Sequence, residues 1–156
     1  MLSSRLAALG LPALLLAAAP ASTPLRPGLW RFTNTPGAAT LDGRVLKELP
    51  VGPITSETVC LTPAQAADAA RWLARDLLSD CTLKRQSLRS GKVDIAGACA
   101  PRSEEFAPGS LSLTGRVTPT SYTLRFATEN PSENGRMGFS GEMAGERVGD
   151  CPARAR

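Results

Sequence analysis

The 156-residue chain contains no histidine. That excludes Ser-His-Asp and Cys-His nucleophilic catalysis and any imidazole-ligated metal site, since these mechanisms need a side chain that changes protonation near neutral pH. Aromatic residues make up only 4 % and are not interleaved with runs of Lys and Arg. A basic surface with stacking rings for nucleic acid is therefore not expected. Close cysteine pairs are also missing: Cys60, Cys81, Cys99 and Cys151 are separated by 21, 18 and 52 positions. Zinc sites bring ligands in tighter pairs, so a metal centre is not expected.

Other catalytic signals fail on inspection. Ser90-Gly91-Lys92 ends like a phosphate loop, but no glycine opens the loop and a strand pattern follows. Glu104-Glu105 is the one adjacent acidic pair. It falls in a predicted loop, where a solvated pair is the simpler reading than two carboxylates flanking a cleft. Asn130-Pro131-Ser132 cannot be a glycosylation acceptor, because proline holds the middle position. The expectation is a protein without enzymatic activity, cofactor or metal, with a carboxylate- or thiol-dependent enzyme as the weakest rival.

What is present begins at the N-terminus. Arg5 precedes an apolar run from Leu6 to Ala19, and Ala19-Pro20-Ala21 stands before Ser22. A charged region, an apolar region and a small-residue cleavage site, in that order, describe a secretory signal peptide over residues 1–21, cut between Ala21 and Ser22. A spanning helix needs about 20 apolar residues, whereas this run is shorter and Pro12 interrupts it. No cysteine adjoins the junction, so a lipid anchor is not expected. No later stretch is apolar enough to span a bilayer. Residues 22–156 then form a single domain, with its core over about 27–151.

An even number of cysteines in an exported chain points to two disulfides. The net charge of +4 is spread along the chain and reads as a solvated surface.

Pro27-Gly28 makes a turn into a strand at Leu29–Asn34, on which Trp30 and Phe32 share a face and read as core anchors. Thr35 to Pro53 reads as loop around a short strand, Gly43–Leu49, and Ile54–Leu61 is a further strand. Thr62-Pro63-Ala64-Gln65 is a capping box with proline at the first helical position. Ala66, Ala69, Ala70, Leu73 and Leu77 then recur at helical spacing, predicting one amphipathic helix over about 63–78.

Cys81–Leu88 and Lys92–Cys99 flank Arg89-Ser90-Gly91 as a hairpin. Its register places Cys81 opposite Cys99, which leaves Cys60 for Cys151 by elimination among three connectivities. Ser110–Thr118 and Ser121–Ala127 alternate with period two around Pro119-Thr120, Glu129–Gly135 reads as loop, and Arg136–Val148 closes the sheet. Gly138, Gly141, Gly145 and Gly149 read as bulge and turn positions in that last strand. The fold class is α+β, mostly β: a curved antiparallel sheet or open barrel of about six to eight short strands carrying one helix.

Pro27-Gly28-Leu29-Trp30, Val59-Cys60-Leu61-Thr62-Pro63, Asp80-Cys81 and Gly145-Glu146-Arg147-Val148-Gly149-Asp150-Cys151 together resemble the bacterial family catalogued as domain of unknown function 3617. The resemblance implies a secreted, periplasmic envelope protein of unassigned role and supplies no catalytic residue. Members often carry Met-rich segments after the first strand; Thr35 to Pro53 contains no methionine here.

These readings converge on a binding domain of the cell envelope that takes an apolar ligand or an envelope partner on the concave side of the sheet. An open mouth there would present Trp30, Tyr122 and Phe126 to the ligand. A filled core would instead favour a structural or stress-related envelope protein without a small-molecule site.

Overall fold

The computed structural model describes residues 25–49, 52–75, 81–101 and 107–152. The proposed leader and its junction at Ser22, Leu77 in the expected helix, and Glu104-Glu105 lie outside the described residues.

Eight strands form one open sheet in which every pairing is antiparallel. They are β1 (Gly28–Leu41), β2 (Arg44–Val45), β3 (Thr55–Leu61), β4 (Cys81–Arg89), β5 (Lys92–Cys99), β6 (Gly109–Val117), β7 (Ser121–Ser132) and β8 (Gly135–Gly149). From one edge to the other the order is β2, β1, β8, β7, β6, β5, β4, and β3 pairs with β1 alongside β2. The first strand thus lies beside the last, inside the sheet.

Two expected loops are strand. β1 continues through Pro36-Gly37 to Leu41, and β7 continues through Pro131 to Ser132. Both prolines sit where no ladder bond is demanded of them. β3 leaves β1 after Asn34↔Thr55 and β2 joins only at Thr40↔Val45, so Pro36 faces the gap between them. Pro131 lies beyond the last β6–β7 pair, Ser110↔Glu129. Missing N–H groups are tolerated at such edges and bulges, and β1 is irregular against β8 between Pro36 and Ala39. β2 is shorter than expected, with two residues.

The tight turns follow local chemistry. Ser90 (φ +50°) and Gly91 (φ +71°) join β4 to β5 with Arg89↔Lys92 as the last pair, and Asp42 (φ +48°) and Gly43 (φ +78°) join β1 to β2. Two successive positive φ angles define the hairpin turn whose twist matches the strands.

The single expected helix is two short ones, α1 (Pro63–Ala67) and α2 (Ala69–Ala74). Thr62 Oγ1 accepts from the Gln65 amide at 3.3 Å, and Gln65 Oε1 accepts from the Thr62 amide at 2.9 Å, so the capping box is formed. The break is at Asp68, whose φ of −118° and ψ of +58° are not helical. Its carboxylate accepts from the Arg71 amide at 3.3 Å and caps α2, because a short polar side chain competes with the backbone for the same donors. Ala66, Ala69, Ala70, Trp72, Leu73 and Ala74 are buried against the sheet.

Candidate binding cleft

The helix-bearing face of the sheet is filled. Trp30 stacks on Tyr122 with ring centroids 5.9 Å apart, and Trp72 from α2 meets both edge-on at 6.2 and 6.3 Å. Trp30 is 0 % exposed and Tyr122 6 % exposed, which corrects the expectation that they face a ligand. Each ring buries roughly 200 Å², worth about 5 kcal/mol in gross transfer terms, and the energetic gain of the cluster lies in excluding water. Trp30 Nε1 donates to the Arg26 carbonyl at 2.9 Å. The Arg75 guanidinium lies over the rings of Trp72 and Phe32, at 4.4 and 4.9 Å from their centroids.

The third expected ligand-facing residue, Phe126, is half-buried, and its ring lies across Gly141 of the neighbouring strand. Tyr122 covers Gly145 in the same way. These glycines make room for rings. Both register shifts of β1 against β8 adjoin an expected bulge glycine, one between Leu29↔Gly149 and Trp30↔Arg147 and the other between Pro36↔Gly141 and Ala39↔Phe139.

The opposite face is polar. Arg31–Glu146 at 3.1 Å, Arg85–Asp94 at 2.8 Å and Arg125–Glu142 at 4.0 Å are exposed ion pairs of little net stability. The Asp94 hydrogen bond, then its charge, raises the Arg85 pKa above the usual guanidinium value. Arg85 stands on the edge strand β4, where charge discourages pairing with another chain. A groove of about 540 Å³ crosses the middle strands on this face, lined by Thr35, Ser112, Thr114, Arg125, Ser140 and Glu142 among others.

A larger cleft of about 720 Å³ opens where β1 begins and β8 ends. Pro27 and Gly28 form one wall, Leu61 to Pro63 and Gln65 another, and Asp150 to Pro152 the third, with the Cys60–Cys151 disulfide between them. Its walls are held independently. The disulfide joins β3 to the segment after β8 across β1, with Cα atoms 5.4 Å apart. The capping box fixes Thr62 and Gln65. Arg147 Nε donates to the Pro27 carbonyl at 2.8 Å, and Arg147 Nη2 pairs with Asp150. Gly28 has a φ of +143°, and a Cβ there would stand 2.5 Å from Arg147 Nε and from the Gly149 carbonyl. Only glycine allows this approach.

Chemically the cleft offers proline rings and a disulfide as apolar surface, with the Gln65 amide and the Asp150 carboxylate at its rim. Cys81 and Cys99 form the second disulfide, on β4 and β5, so all four cysteines are bridged. Among the described residues no group of three or more metal-ligating side chains converges, and no helix is long and apolar enough to cross a membrane.

The sequence did not single out Trp72 or Arg147 as individual residues. Trp72 carried a usable signal, since it stands three positions after Ala69 on the buried side of the helix. Arg147 gave no sign of its link to Pro27, which lies at the opposite end of the domain; only its pairing with Asp150, three positions on, is local.

Pro27-Gly28, Leu61-Thr62-Pro63 and Asp150-Cys151, which approach here, belong to the segments that carry the family resemblance. No curated protein and no solved structure matches the chain. The family model described as "Protein of unknown function (DUF3617)" matches residues 25–151, from the first described residue to the cysteine that closes the cleft, and the chain belongs to that family.

Proposed function

We propose that the chain is a non-catalytic binding domain of the cell envelope, exported by its N-terminal leader, and that its ligand or partner contacts the cleft beside Cys60–Cys151. The observation that carries this reading is the cleft itself: about 720 Å³, in the size range of small-ligand sites, with walls fixed before anything binds. A preformed site loses less freedom on binding than one that must be ordered. The apolar-ligand expectation moves from the helix face, where Trp30 and Tyr122 leave no room, to this end of the sheet. Two disulfides support an oxidising compartment.

The filled aromatic core favours a second reading, a structural envelope protein without a small-molecule site. Native mass spectrometry of protein purified from the periplasm separates the two. A retained adduct that is lost in Pro152→Trp, which places an indole in the cleft, but kept in Ser112→Trp, which blocks the polar groove, supports the cleft. The reverse pattern moves the site to the groove, and no adduct in any form leaves the structural reading.

A further inference from the structure

The two disulfides are nested: Cys81–Cys99 lies within the 91-residue span closed by Cys60–Cys151. Of the six ways to join two of these cysteines, the native Cys60–Cys151 pair has the greatest sequence separation. Loop closure disfavours it. By the three-halves power of separation, an unfolded chain closes the 21-residue span from Cys60 to Cys81 roughly nine times as readily as the native span. In a chain delivered from its N-terminus into an oxidising compartment, those two cysteines also meet first.

The folded sheet cannot accommodate that product. Cys60 lies on β3 and Cys81 on β4, with β1, β8, β7, β6 and β5 between them. Six strand spacings amount to about 29 Å along the sheet, against the roughly 4.4–6.8 Å between Cα atoms that a disulfide spans. The two side chains also leave opposite faces. Cys60 pairs with Leu29, one residue out of step with the inward-facing Trp30, whereas Cys99, which faces Cys81, shares the face of Val93 and Ile95. A chain bridged Cys60–Cys81 and Cys99–Cys151 is therefore held out of the native sheet by its own bonds.

We infer that this protein is a substrate of a thiol-disulfide isomerase of the envelope, and that Cys60–Cys81 is the bond the isomerase opens. The inference rests on the envelope reading above. The isomerase thiolate attacks the Cys60 sulfur, making a mixed disulfide and releasing Cys81 as a thiolate. Cys81 attacks Cys99, forming the native hairpin bridge and releasing Cys151. Cys151 attacks Cys60 in the mixed disulfide, forming the second native bridge and returning the isomerase thiolate. Two disulfides exist before and after, the proton lost by the isomerase thiol is regained on release, and no oxidant is consumed.

The full chain is expressed in bacteria with and without their periplasmic disulfide isomerase, thiols are alkylated at harvest, and non-reduced peptides are mapped by mass spectrometry. Without the isomerase, Cys60–Cys81 and Cys99–Cys151 peptides are expected and the natively bridged form falls several-fold. Cys81→Ser/Cys99→Ser, which removes the competing partners, should form Cys60–Cys151 equally in both strains. Leader-free protein with native bridges in equal yield in both strains overturns the inference, as does continued isomerase dependence of the double variant. A reduced chain that keeps its leader in both strains overturns the envelope reading and the inference with it.

Discussion

Trp30 and Trp72 meet edge-on at 6.2 Å in the same core, and among the described residues one of the two indoles has an acceptor and the other has none. Trp30 donates to the Arg26 carbonyl, while the buried Nε1 of Trp72 has no partner among the described residues. An orphaned donor loses its hydration without replacement, a cost of about 1–3 kcal/mol. Trp30→Phe should therefore destabilise by about 2–3 kcal/mol, through lost volume and an unsatisfied carbonyl. Trp72→Phe should cost about 1 kcal/mol or less, since it deletes the orphan as it shrinks the ring. Urea denaturation midpoints compare the two, and the account fails if Trp72→Phe proves the costlier.

Three glycines of β8 should respond differently to alanine. At Gly145 the new Cβ lands on the Tyr122 ring; at Gly141 it stands 2.5 Å from the Phe126 ring and 2.8 Å from the Thr35 carbonyl; at Gly149 nothing lies within 4 Å. Overpacking costs typically about 1–3 kcal/mol, so Gly145→Ala and Gly141→Ala should both destabilise and Gly149→Ala should stay within about 0.5 kcal/mol. Because Tyr122 is the obstacle at Gly145, Tyr122→Leu should relieve much of that penalty. Chemical denaturation of the double-mutant cycle reads this as coupling above about 0.5 kcal/mol.

The disulfides should differ in worth as well as in ease of formation. Closing a 91-residue span removes more freedom from the unfolded chain than closing an 18-residue one. The chain-entropy model puts the difference at about 1.4 kcal/mol. Cys60→Ala/Cys151→Ala should lower stability by about that much more than Cys81→Ala/Cys99→Ala in guanidinium melts.

Asp68 should behave as a cap. Asp68→Ala removes the acceptor of the Arg71 amide and of Gln86 Nε2, at 3.3 Å each, and should cost about 1 kcal/mol, whereas Asp68→Asn retains an acceptor and should cost less. Thermal melts of the two variants decide this.

Features legible in the sequence were those set by neighbours along the chain. The β4–β5 hairpin follows from Ser90-Gly91 and the flanking alternation, and its register makes Cys81↔Cys99 a pair. The capping box at Thr62 and Gln65 is equally local. Pro36 and Pro131 misled because a proline reads as a strand breaker unless it is known that no neighbour needs its N–H, and that depends on where β3, β2 and β6 happen to stop. The helix break at Asp68 is a competition between one side chain and the backbone, which apolar periodicity does not register. The cleft was illegible for a different reason: Pro27, Thr62 and Asp150 share no local pattern and meet only when the first strand is laid beside the last.

That meeting also makes the protein a natural ring. Leu29 and Gly149 are direct neighbours in the sheet, so the chain enters and leaves the fold at one place, and the cleft lies there. A circular permutant with Leu25 linked to Pro152 and new ends at Ser90-Gly91 would cut no strand and keep the Arg26 carbonyl that Trp30 needs. A group fused directly to Pro152 would stand at the mouth of the cleft, so ligand assays are best run with the tag at the Ser90-Gly91 turn of such a permutant.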